Sequence, residues 1–288
     1  MRLPITNHQS PIPTDTETFR DKPEQMIHLP EGVLPKARVE AYRAIERLAV
    51  VEIAGRDSVA AAVQAVAAEG FTDLVPTYAY TGTEQGEWST VTDAVGRLSE
   101  RLPDVRVHPL VVLGSPRFWQ ALNGRFMGEL VQRLGTFSPC VGCHLYLHSV
   151  RIPLAVHLGH RPVIAGERER HDSSVKINQI SEALSRYQAL AAEFNIRLLL
   201  PLRHIPQGQR IRHILGSDWE EGQAQLGCVL SGNYRGADGR TTMTVDQVNQ
   251  YLHGFAVPLT RSVIQAYLKG EIPDHLDLGR QILVREKT

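Results

Sequence analysis

The segment Cys140-Val141-Gly142-Cys143-His144 holds the densest group of chemically competent side chains in the sequence, and the third cysteine, Cys228, follows 85 residues after Cys143. A tight C-x-x-C turn aims two sulfurs the same way, which suits a metal ion, a cluster or a redox dithiol. Followed by histidine it also matches the attachment signal of a c-type haem, but that chemistry needs an export signal. The amino-terminal string MRLPITNHQSPIPTDTETFRDKPEQ reads instead as a polar, Pro-rich arm. A thioredoxin-like dithiol leaves Cys228 unused. Zinc on the three cysteines with His144 or His148 satisfies a tetrahedral preference, and an iron–sulfur cluster on Cys140, Cys143 and Cys228 employs every thiol in the chain. The bland alternative is three small buried side chains without a ligand.

A second group is Ile53-Ala54-Gly55-Arg56-Asp57-Ser58, between an apolar run and an Ala-rich segment. Small residues there let the backbone approach a phosphate, the following helix start offers free N–H groups, and Arg56 and Ser58 add donors. Helix capping by Asp57 or Ser58 is the competing reading. A third group, Glu167, Arg168, His171, Asp172 and Lys176, follows Gly166. It supplies acids and bases in Glu167, His171 and Asp172, and cations for developing negative charge in Arg168 and Lys176. The basic stretch Arg203, His204, Arg210, Arg212 and His213 suits either nucleic-acid phosphates or a solvated helix face.

The elements that must position these groups alternate. Residues 36–48 place Val39, Tyr42, Ile45 and Leu48 on one helical face, LAVVEIAG reads as a strand, and Ser58 opens a helix stopped by Gly70. Strands are expected over 74–82, 105–114, 161–166 and 196–202, with helices over 90–102, 116–134, 144–158 and 174–193. This is the signature of an α/β fold with a mainly parallel sheet and helices on both faces. Ligands in such sheets bind beyond the carboxyl ends of the strands, where the Gly55 turn lies. Past residue 206 the strand signal fades. The expected organisation is an arm over 1–35, an α/β domain over 36–205 and a small helical portion over 206–288 that supplies Cys228. The glycine-bearing stretch 232–242 reads as a long loop.

The 288 residues carry 31 basic and 31 acidic side chains, with 42% hydrophobic and 22% charged residues. That balance gives no global pull toward nucleic acid or an anionic membrane and excludes disordered or disulfide-scaffold classes. No run of 18 apolar residues occurs, so no membrane span is expected. Three cysteines, an odd number, suit metal or redox work in a reducing cytoplasm better than disulfides. Residues 121–220 hold 12 basic and 8 acidic side chains, a weak asymmetry that permits an anionic substrate there without demanding a polynucleotide.

The string PCVGCHLYLHSVRIPLAVHLGHRPVIAGERERHD, preceded by the Gly55-Arg56-Asp57-Ser58 loop and followed by Cys228, resembles the PP-loop (adenine nucleotide alpha-hydrolase-like) ATPase superfamily in its iron–sulfur tRNA-thiolating branch. The likeness rests on the order of loop, C-x-x-C, Gly-ended strand and lone cysteine across residues 48–230. It implies a [4Fe–4S] cluster on Cys140, Cys143 and Cys228. It also implies ATP with Mg2+ bound at Ala54, Gly55, Arg56, Asp57, Ser58 and Gly166, and adenylation of a nucleobase-like carbonyl, in tRNA or a smaller molecule, before sulfur from a donor replaces the oxygen. Asp57, Glu167, His171, Asp172 and Lys176 are the implied catalytic set, and a homodimer is compatible with the pattern. The loop departs from the family's S-G-G-x-D-S by Ile53 and Ala54, His171 stands at an acidic position, and Leu147 replaces a lysine found in some members. These departures point to a second activity, an ATP-independent desulfidase that removes sulfur from a thiocarbonyl. A third reading is a non-catalytic nucleotide-binding module in which zinc or a cluster ties the helical portion to the sheet.

Overall fold

The computed structural model describes residues 34–172 and 174–285, so the expected arm over 1–35 lies almost wholly outside the described residues. Helix α1 (Lys36–Arg43) precedes strand β1 (Leu48–Glu52), which is buried along its full length. Its side chains alternate between two cores, Leu48 and Val50 on one face and Ala49 and Val51 on the other. A strand clothed on both faces reads as an unbroken apolar run, as LAVV does. Fully burying each such valine or leucine contributes about 1.5–3 kcal/mol.

Helix α2 (Arg56–Glu69) follows directly, with Ala60, Ala61, Ala62 and Ala65 buried so that its backbone lies close to the sheet. Strand β2 (Asp73–Tyr80) pairs parallel with β1, and helix α3 (Ser89–Arg101) covers the same face as α2. The strand expected over 105–114 is divided into β4 (Arg106–Val107) and β5 (Val111–Gly114), both parallel to β2; the two-residue β3 (Glu84–Gln85) lies outside this sheet. The division has a cause in Pro76. The Thr72 and Leu74 carbonyls accept from Arg106 and His108 at 2.9 Å, so even-numbered positions of β2 face this edge. Pro76 has no N–H to offer there, and the edge strand breaks opposite it.

Helices α4 (Pro116–Asn123) and α5 (Met127–Leu134) replace one expected helix, parted at Gly124. Helices α6 (Pro139–Ser149) and α7 (Arg151–His157) lead to β6 (Val163–Ile164), which pairs with β1 on the side opposite β2. A 3-10 turn (Ile177–Gln179) and α8 (Ser181–Glu193) then lead to β7 (Leu198–Leu199), parallel to β6. The sheet order is β4-β2-β1-β6-β7 with β5 beside β2. This is the α/β architecture with a mainly parallel sheet and helices on both faces.

After α9 (Gly208–Leu215) comes β8 (Gly227–Cys228), a strand the sequence did not announce, paired antiparallel with β3 so that Cys228 stands opposite Glu84. The helical portion continues with α10 (Val245–Tyr251), a π turn (Leu252–Ala256), α11 (Val257–Leu268) and α12 (His275–Arg285). Pro258 lacks the N–H that the Gly254 carbonyl would receive, and the wider π turn before it takes up the misfit. Tyr251, Phe255, Leu259 and Val263 pack into the same core as Leu48 and Leu145. Among the described residues no helix is long and apolar enough to cross a membrane.

Candidate active site

Between the parallel strands β1 and β6 the strand order of the sheet reverses, and beyond their carboxyl ends a crevice opens as it does in other open parallel sheets. A cavity of about 260 Å³ occupies it, lined by Cys140, Cys143 and Cys228 together with Glu52, Glu84 and Lys176. Helix α6 begins at Pro139, where the Ser138 hydroxyl accepts the Cys140 N–H at 3.3 Å, and its first turn aims both sulfurs of the pair to one side. Cys228 arrives from β8. The Leu230 N–H donates to Cys228 Sγ at 3.4 Å while the Leu230 carbonyl faces Cys140 Sγ at 3.8 Å, so one residue links the distant thiol to the pair.

The sulfur environments fit a cationic centre. The Trp119 indole N–H donates to Cys143 Sγ at 3.3 Å, and Thr83 Oγ1 lies 3.3 Å from Cys228 Sγ. Burial pushes the Cys143 thiol up to about 12 and the Cys140 thiol up to about 11, against the downward pull of Trp119 and Ser138, with neighbouring sulfurs adding to the rise. Thiolates so placed are stable only beside positive charge, and N–H donors aimed at sulfur are what ligating cysteines use. Thiolates here would need a metal centre as counter-charge, whereas as a thiol Cys140 is served by Asn233 Oδ1 at 3.2 Å.

Behind the cavity wall lies a buried histidine–carboxylate group. Glu167 Oε1 sits 2.8 Å from His144 Nδ1 and 3.0 Å from His148 Nε2, and Oε2 accepts from Gln179. Burial pushes the Glu167 carboxyl up, but the two imidazoles outweigh it and hold it well below the usual range; burial lowers His144, and Glu167 outweighs that and raises it. Glu167 is thus an ionised group fixing His144, which itself lines the cavity.

The Gly55 loop is closed upon itself. The Ser58 hydroxyl accepts the Ala54 and Gly55 N–H groups at 2.9 and 3.1 Å and donates to the Gly55 carbonyl at 2.7 Å, which is the capping arrangement. Gly166 packs directly on it, since a Cβ there would lie 2.6 Å from Ser58 N. Arg56 and Arg168 are buried and converge on Glu221 at 3.2 and 2.6 Å, joined by His171 at 3.0 Å and Lys176 at 2.7 Å. Asp57 bridges Arg56 and Arg168 at 2.8 and 2.7 Å. The hydrogen bond from His171, and then Lys176, holds the Glu221 carboxyl well below its usual range.

Of the residues singled out by sequence, the three cysteines, Ala54 and Lys176 line the cavity, whereas Asp57, Glu167, His171, Arg56 and Ser58 stand behind it. Asp172 is exposed, at φ 53°, and its carboxylate accepts the Gly208 N–H at 3.1 Å, capping α9. The basic stretch is largely spent on internal pairs, Arg203 with Glu169 at 2.6 Å and Arg212 with Glu220. Sequence reasoning missed Glu52, Glu84 and Glu221. Glu52 had a legible signal, a lone acid closing the apolar run of β1. The other two had none, because their partners come from distant segments.

No known family profile matches the chain. It is 35% identical over 279 residues to a protein of Methanocaldococcus jannaschii described as Uncharacterized protein MJ0009, a span covering 94% of this chain and 93% of that one.

Proposed function

This chain belongs to the family of that archaeal protein, and we propose that its cavity is a sulfur-exchange site acting on a nucleobase-like thiocarbonyl in the direction of sulfur removal. The observation that carries the reading is the convergence of all three thiols on one cavity at the sheet's switch point. Cys140, Cys143 and Cys228 would hold a [4Fe–4S] cluster, which supplies, when bound, one iron without a protein thiolate and able to take up sulfur. The remaining work falls to the chain. Glu84 lines the cavity, with Oε1 accepting the Thr81 N–H at 2.7 Å and Oε2 buried without a hydrogen-bond partner. It is placed to accept a proton from the water that attacks the thiocarbonyl carbon. Attack places negative charge on the sulfur, and Lys176 supplies positive charge beside it. The new hydroxyl gives its proton to the sulfur as the carbon–sulfur bond breaks, so thiocarbonyl and water become carbonyl and hydrosulfide, with one proton left on Glu84.

ATP is not required by this scheme, and the occupied cationic pocket favours it, since Glu221 stands where loop and arginines would otherwise meet phosphate. The thiolating direction, with ATP and Mg2+ activating a carbonyl in tRNA or a smaller molecule, is favoured by one observation. Arg56, Arg168, His171 and Lys176 already form a phosphate-ready set once Glu221 is withdrawn. The PP-loop resemblance supports either direction, and a reducing cytoplasm suits both. A purely structural centre tying β8 to α6 predicts turnover that survives Cys228→Ala.

The test is anaerobic purification with iron and sulfide counting, followed by hydrosulfide release from a thiolated pyrimidine with and without ATP. Brown protein that releases sulfide without ATP supports the reading. Colourless protein that takes up no iron on reconstitution sinks it, and release that depends on ATP reverses the direction.

A further inference from the structure

We propose that His144, His148 and Glu167 form a binding site for one divalent transition-metal cation, separate from the three thiols and independent of the sulfur chemistry. His144 and His148 stand four residues apart on α6, the spacing that brings two imidazoles to one helix face. Glu167 meets them from the segment after β6, at 2.8 and 3.0 Å. One ligand atom from each of the three lies within 4.8 Å of the others; donors at Zn–N and Zn–O lengths of about 2.0–2.2 Å stand about 3.3–3.6 Å apart, so an entering ion would part Glu167 from the imidazoles by about 0.5 Å.

His148 Nδ1 is buried without a hydrogen-bond partner and faces Glu52 Oε2 at 3.6 Å, a carboxylate oxygen ion-paired with Arg151. His148 is 3% exposed, whereas Glu52 reaches the cavity wall. With a metal at Nε2, the proton on Nδ1 would face Glu52, the carboxylate–histidine–metal arrangement by which ligating histidines are oriented. Arg151, 3.3 Å from Glu52, and Gln179, bonded to Glu167, complete the outer shell.

The chemistry of the ligand set is specific. Two imidazoles and one carboxylate suit zinc, ferrous iron or cobalt rather than calcium or magnesium, which prefer all-oxygen shells. Three protein ligands leave a fourth position, and His144, Asn178 and Gln179 form part of the cavity wall. An open position of this kind marks a working metal site rather than a closed structural one.

The experiment is a cobalt(II) titration of the full chain in which Cys140, Cys143 and Cys228 are replaced by alanine. One equivalent should bind, with weak visible bands and no sulfur-to-cobalt charge transfer in the near ultraviolet. Glu167→Gln and His144→Ala should each weaken binding at least tenfold, and Glu52→Gln by about tenfold through the outer shell. A folded thiol-free chain that binds no cobalt overturns the proposal, as does affinity unchanged by Glu167→Gln. Should the thiol-free chain fail to fold, cobalt stoichiometry of the unsubstituted chain against Glu167→Gln reads the same question. Equal stoichiometry and affinity in those two would again overturn it. Because no iron–sulfur centre enters this assay, its outcome is separable from that of the sulfur-exchange reading.

Discussion

Glu221 is a carboxylate met by Arg56, Arg168, Lys176 and His171, the two arginines fully buried. Glu221→Gln removes the charge but keeps the shape, so inorganic pyrophosphate should bind the variant at least tenfold tighter than the native chain at low salt, as read by calorimetry. Equal weak binding to both would show that the arginines serve the fold alone. The group also makes a pH prediction. Its folded value is depressed below the ordinary ~4.3, so its stabilisation is complete above that value and lost as the pH falls through the folded one. The native Tm should therefore drop below about pH 4 more steeply than that of Glu221→Gln. Cysteine accessibility gives a further test: Cys228 is exposed, whereas burial holds Cys140 and Cys143 as thiols. In metal-free protein at pH 8 iodoacetamide should label Cys228 first by mass spectrometry; faster labelling of the pair would contradict the geometry.

At the level of elements, the close seat of the segment after β6 on the start of α2 is the least forgiving contact. Gly166→Ala drives a Cβ to 2.6 Å from backbone atoms that cannot move aside, and the expected loss is about 1–3 kcal/mol or more, measurable by urea unfolding. Strand β8 is the opposite case. It is two residues long and joined only to the equally short β3, so its amides should exchange faster than those of β1 and slow on loading with iron and sulfide. These two elements also explain what was legible. Runs such as LAVVE and the Ala-rich α2 announce themselves, because their burial pattern is local. The split of β4 from β5 was written in Pro76 but required knowing which edge its missing N–H faced. Two residues of strand at 227–228 carry no periodicity, and that pairing is created by the tertiary fold.

For the molecule as a whole, the sequence exposed the architecture and the sulfur ligand candidates, since both follow from residue type and order. It did not reveal that the Gln225 side chain packs on Gly55 or that Glu221 pairs with Arg56, because long-range pairing leaves no local mark. Tyr251, Phe255 and Leu259, at 0–1% exposure, belong to the sheet's own core. Ending the chain at residue 244 should therefore abolish cooperative unfolding by circular dichroism; a sharp transition would mean that the α/β part stands by itself. One tether shapes the rest. Glu221 and Cys228 are seven residues apart on a stretch bent at Gly222 and Ala224, both at positive φ, with one end anchored among arginines and the other among sulfurs. An anion that competes with Glu221 for the arginines acts at one end of this tether; to the extent that it changes binding at Cys228, whatever clamps Cys228 alters anion affinity by the same factor.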